Sequence, residues 1–164
     1  MHNVTSLQGL ELENCPSIVT FPEDGFPSNL SSLEIRDMKI SMPLFKWGLQ
    51  RFTSIRKLKV GGCSDVVLFP QLEIGMTLPA SLTSRCLSKF PNLERLSSIA
   101  ENLTSLERLS LSDCPKLKYF PEKGLPTSLL KLKVYRCPLI KERCRMNEGQ
   151  YRHFIVHIPC ISII

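Results

Sequence analysis

The sequence has little of what catalysis, membranes or disulfide scaffolds need. It holds only three histidines and one tryptophan in 164 residues. All three histidines lie near the ends, so no nucleophile, base and orienter stand together as a hydrolase requires. None of the eight glycines is followed by lysine, so the phosphate-cradling GxxxxGK[ST] loop is absent. No apolar run approaches the length of a bilayer span. The N-terminus, Met1-His2-Asn3-Val4-Thr5-Ser6, shows neither a basic nor an apolar region, so no secretory leader is read there. Seven cysteines are an odd number, which suits free thiols better than a closed set of disulfides.

What is present is a repeat. Apolar residues recur at offsets 0, 3, 5, 8, 11 and 14 from starts at Leu7, Leu30, Ile55, Leu82, Leu106 and Leu129. The spacings of 23, 25, 27, 24 and 23 residues fall in the leucine-rich-repeat range. Of the 36 positions so defined, only Ser41, Arg85 and Arg143 are not apolar. Of the 18 positions at offsets 2, 4 and 6, only Cys86 and Tyr135 are hydrophobic. Alternation over offsets 2 to 6 predicts a half-buried strand, apolar side in and polar side out. Four of the cysteines (Cys15, Cys63, Cys114 and Cys137) share offset 8, where a small buried residue is expected.

The reading is an α/β leucine-rich-repeat solenoid over residues 1–143, followed by a capping tail over 144–164. A curved parallel sheet lines its concave side. Pro and Gly punctuation, as in Phe21-Pro22-Glu23-Asp24-Gly25 and Phe120-Pro121-Glu122-Lys123-Gly124, predicts loops, turns and short 3-10 pieces on the convex side. Pro43 to Leu49 is expected to make a larger bulge with a helical turn. Gln71 to Ala80 is the least regular stretch. Arg85 stands where an inward leucine belongs. A buried unpaired charge is costly, so local distortion of the fourth repeat is expected. With no capping element ahead of the first strand, exposure of the first repeat and self-association are expected.

The outward strand positions form the candidate binding wall. They include Glu11, Glu13, Glu34, Arg36 and Asp37 early, and Lys57, Lys59, Lys89, Arg108, Lys131, Lys133, Tyr135 and Arg136 late. The wall is predicted to be acidic early and basic late, with Tyr135 as its aromatic anchor.

The segment Leu106-Glu107-Arg108-Leu109-Ser110-Leu111-Ser112-Asp113-Cys114-Pro115 resembles repeats of the coiled-coil, nucleotide-binding, leucine-rich-repeat disease resistance proteins of plants. Cys137-Pro138-Leu139 and His157-Ile158-Pro159-Cys160 resemble the C-terminus of that family, which often carries Trp where Tyr151-Arg152-His153 stands here. The resemblance implies a cytoplasmic, non-enzymatic module in plant innate immunity. Its partner would be a protein: a pathogen effector, a guarded host protein, or the receptor's own nucleotide-binding domain. ADP or ATP belongs to that other domain, so no cofactor is expected in this chain.

Three other readings compete. Sequons at Asn3, Asn29 and Asn102 would suit a secreted or receptor-type leucine-rich-repeat protein. The net charge of +6 would suit a nucleic-acid-binding module, although only Tyr135 offers stacking on the wall. Cys144, His153, His157 and Cys160 carry zinc-type ligands, but at a spacing that matches no zinc module.

Overall fold

The structure is a computed structural model that describes residues 6–13, 15, 27–36, 43–44, 46, 48–71, 75–97, 103–145 and 149–164. Seven strands form one parallel sheet: β1 (Gly9–Leu12), β2 (Ser32–Ile35), β3 (Lys57–Gly61), β5 (Ser84–Ser88), β7 (Arg108–Ser112), β8 (Lys131–Tyr135) and β9 (Cys160–Ile163). They lie side by side in chain order. Two short strands, β4 (Leu68–Phe69) and β6 (Arg95–Leu96), pair separately, also in parallel.

The register follows the sequence offsets. Leu12, Ile35, Val60, Leu87, Leu111, Val134 and Ile163 form one continuous row across the sheet. From Ile35 to Val134 every member of that row is at most 1% exposed. A one-residue slip anywhere would turn a whole strand's apolar side outward, so burial fixes the register. Each apolar side chain is covered by its neighbours in adjacent strands, and burying one contributes about 1.5–3 kcal/mol.

Two backbone ladders flank the core. On the strand side, the residue at offset 1 donates its N–H to the carbonyl of its counterpart one repeat earlier: Ser31 to Gln8, Arg56 to Ser31, Thr83 to Arg56, Glu107 to Thr83 and Leu130 to Glu107. On the returning side, Lys118 N–H donates to Glu94 O, and Glu94 N–H to Val67 O. Side chains reinforce the first ladder. Ser81 Oγ donates to Ile55 O at 2.7 Å, and Ser128 Oγ to Leu106 O at 2.8 Å.

The strands end by a repeated device. Gly62, Lys89, Asp113 and Arg136, all at offset 7, have left-handed φ values of 73°, 56°, 53° and 52°. A left-handed residue breaks the strand's alternation, so the next side chain turns inward. For the non-glycines this conformation costs roughly 1–2 kcal/mol. At offset 8 the thiols of Cys15, Cys114 and Cys137 donate to the carbonyls of Glu13, Ser112 and Tyr135, two residues back, at 3.2–3.3 Å. All seven cysteines are free, and Cys63, Cys114 and Cys137 are fully buried.

The fourth repeat is not distorted, contrary to the sequence expectation. Arg85 sits in β5 in register with Leu58 and Leu109, and is 1% exposed. Its guanidinium lies 4.5 Å from the centre of the Phe69 ring, and none of its nitrogens has a hydrogen-bond partner. Burial pushes its pKa down to about 9, so it stays charged at neutral pH. Backbone pairing on both sides holds β5 in place, and the Phe69 face offsets part of the cost of the buried charge.

Other segments depart from or extend the expectation. Pro43, Leu44 and Lys46 are helical and a 3-10 helix spans Leu49–Arg51, while Phe45 and Trp47 lie outside the described residues. The returning segments also contain the β4–β6 pair. After β8 the chain forms two short helices, α1 (Pro138–Arg143) ahead of the tail and α2 (Arg152–Ile155) within it, before the tail returns as edge strand β9. Ile158, Ile161 and Ile163 repeat offsets 0, 3 and 5, which explains why the tail rejoins the sheet.

Candidate interaction surface

The outward row at offset 4 runs Glu11, Glu34, Lys59, Cys86, Ser110, Lys133 and Ser162 across the sheet. The rows at offsets 2 and 6 lie on the same side of their strands. The sheet therefore gathers Glu11, Glu13, Glu34, Arg36 and Lys59 at its early end. Arg108, Lys131, Lys133, Tyr135 and Arg136 gather at its late end. Asp37 lies outside the described residues.

The early charges close on one another. Arg36 reaches Glu11 Oε1 and Glu13 Oε2 at 3.2 Å each, and its Nε donates to Glu34. Lys59 Nζ reaches the same Glu34 carboxylate at 2.7 Å. Partial burial pushes the Glu34 carboxyl up, but hydrogen bonds from Lys59 and Arg36 more than reverse this and hold it below its ordinary value. The three carboxylates in turn hold the Arg36 guanidinium above its ordinary range. Among the described residues, the end that reads as acidic in the sequence is thus a closed network of three carboxylates and two cations, with one net negative charge.

The late charges do not close. Arg108 and Lys131 are directly opposite in β7 and β8, and Lys133 faces Ser110. None of these three makes an ion pair among the described residues, and neither does Lys57 or Lys89. Arg136 is the exception, with Asp113 at 3.5 Å. Its guanidinium also lies 5.2 Å from the centre of the Tyr135 ring, and Tyr135 is 44% exposed.

Lys89 borders a groove of about 660 Å³ at the strand ends, with Pro91, Pro115 and Arg136. The sequence carried its signal, since Pro16, Pro91, Pro115 and Pro138 all fall at offset 9. Burial pushes up the thiol pKa of Cys86, in the middle of the wall, only partly opposed by a hydrogen bond with Ser110, and so disfavours its thiolate.

The zinc-type side chains are dispersed. Cys144 is buried, with its thiol pushed up to about 12 by that burial. Cys160 is exposed on β9, and a His157 ring nitrogen lies 3.2 Å from Pro126 O. Among the described residues no three His, Cys, Asp or Glu side chains converge to hold a metal. No described helix is long and apolar enough to cross a membrane.

No protein-family model and no solved structure matches the chain. Curated proteins of Arabidopsis thaliana do. One named for disease resistance is 34% identical over 85% of this chain, which corresponds to 10% of that protein. Disease resistance protein RPS4B is 29% identical over 85% of the chain and 15% of its own length. The protein SUPPRESSOR OF npr1-1, CONSTITUTIVE 1 is 30% identical over 98% of the chain and 11% of its own length. The chain spans between a tenth and about a seventh of these relatives. Across most of its length, it is therefore similar to a segment of plant disease resistance proteins.

Proposed function

We propose that this chain is the protein-recognition segment of a plant intracellular immune receptor of the coiled-coil, nucleotide-binding type. It is a leucine-rich-repeat solenoid that works in the cytoplasm by binding rather than by catalysis, without a cofactor of its own. The strand face is its working surface. The partner is a pathogen effector, a guarded host protein, or the receptor's own nucleotide-binding domain.

One observation carries this reading. Arg108, Lys131 and Lys133 form an ordered cationic patch with no ion-pair partner among the described residues, on a sheet whose register holds their spacing. Uncompensated charge on a rigid face steers and selects a partner of opposite sign.

The test is charge reversal in the full receptor that contains this segment. Lys131→Glu with Lys133→Glu and Arg136→Glu is expected to abolish the response to the cognate trigger or to change the resting activity. A variant that accumulates normally, responds normally and rests normally would remove the strand face from the mechanism.

A further inference from the structure

A second surface lies away from the strand face, on the returning segments. The β4–β6 pair sets Leu68 beside Arg95, and a bridge sets Arg95 beside Tyr119. Three cations crowd the Tyr119 ring: Arg143 Cζ at 4.9 Å from its centre, Arg95 Cζ at 5.0 Å and Lys118 Nζ at 5.3 Å. Arg143 also donates to Gln150 Oε1. None of the three makes an ion pair among the described residues.

Beside this cluster is a groove of about 720 Å³, within the usual size range of binding pockets. Leu68, Leu96 and Phe154 give it an apolar lining, and Tyr151 stacks on Phe154 at 5.4 Å. Glu122 is the one acid among its described lining residues. The chemistry is therefore divided, with apolar and aromatic side chains in the groove and unpaired positive charge at its rim.

The geometry points to a docking groove for an acidic peptide segment of a partner protein, with carboxylates on the Tyr119 cations and an aliphatic or aromatic side chain against the half-buried Leu68 and Phe154. Like charges held close together repel, and an anion relieves that repulsion. A bare anion would leave the apolar groove unfilled. A single-stranded nucleic acid needs free aromatic faces for stacking. Here Tyr119 already carries two guanidinium groups, and Phe120 and Tyr151 are buried. A chain that alternates Asp or Glu with Leu or Phe satisfies both halves.

The probe is a fluorescein-labelled EDLFDE peptide, titrated with the 164-residue chain at low ionic strength and read by anisotropy. Saturable binding is expected. R95E with K118E should weaken it by at least about tenfold, with the milder R95Q/K118Q pair in reserve if the first variant melts early. An EDSSDE peptide should be weakened similarly, and K46E/R56E, a charge reversal of two exposed cations away from both surfaces, should bind EDLFDE like the parent chain. The proposal is overturned if the peptide does not bind, if K131E/K133E on the strand face loses binding as much as R95E/K118E, or if an eight-residue oligo-dT binds as tightly and competes.

Discussion

The early end of the seven-stranded sheet and its later inner strands, β7 and β8, solve opposite problems. At the early end the interior is only partly covered: Leu7, Leu10 and Cys15 are half-buried, and Leu12 is 8% exposed. There the outward charges knit together around Arg36. At β7 and β8, which lie inside the edge strand β9, the interior is sealed, with Leu109 and Leu111 at most 1% exposed, and the outward charges are left largely unpaired; β9 itself leaves Ile161 and Ile163 half-buried. Counting acids and bases along the chain does not give this, because the outcome depends on which residue stands opposite which.

The largest effect should come from the interior. Leu111→Ala is expected to lose about 2–5 kcal/mol, the range for a sealed leucine. Leu10→Ala should lose about half of that or less, since its site is already partly open. Equal losses in urea denaturation would erase the difference between the early edge and the inner strands.

Next comes the interior's own exception. Arg36 and Arg85 lie on opposite faces of the same sheet, one with three carboxylates and the other with none. Arg85→Leu should complete the leucine row and stabilise the fold by about 1–4 kcal/mol. A fall in stability would mean that the guanidinium contributes more against Phe69 than a leucine can.

The smallest effect concerns the early network and its pH dependence. A carboxylate whose folded pKa lies below its unfolded value contributes stability above the ordinary range. It loses that contribution as pH falls through the folded value. The Glu34 carboxyl is held low in this way. Glu34→Gln should therefore be slightly less stable than the parent near neutral pH, by less than about 1 kcal/mol for so exposed a network. The gap should close as pH drops below about 4. K131E/K133E should leave stability nearly unchanged at both pH values. A gap independent of pH would show that Glu34 acts through packing rather than charge.

The strands and their register were legible because burial imposes a fixed period, and Leu, Ile and Val have few other reasons to recur at offsets 3 and 5. The thiols at offset 8 were legible for the same reason. Arg85 was misread because sequence shows the cost of a buried charge but not an aromatic ring brought in from the preceding repeat. The serines at offset −1 (Ser6, Ser54, Ser81, Ser105 and Ser128) were a regularity in plain view, and two of them prove to bond back to the preceding repeat. The isoleucines that return β9 to the sheet were readable too, but an interval of 29 residues from Leu129 hid them. On the strand face the charges themselves were foreseen, whereas their closure around Arg36 was not, because it depends on Glu11 and Glu13 of the preceding repeat meeting its guanidinium. The Tyr119 groove had no sequence signal at all: Leu68, Arg95 and Tyr119 share an offset but no chemistry.

The hydrogen-bonded rows have a consequence for how such a chain can change. Strands β1, β2, β3, β5, β7 and β8 meet residue for residue although 23 to 27 positions separate successive copies. Insertions are taken up wholly by the returning segments, while neighbouring rungs of the face stay about 4.8 Å apart. The front works as a ruler of constant pitch whatever the length of the thread behind it. Selection can thus edit letters on the front and lengths at the back as separate variables, without either disturbing the other.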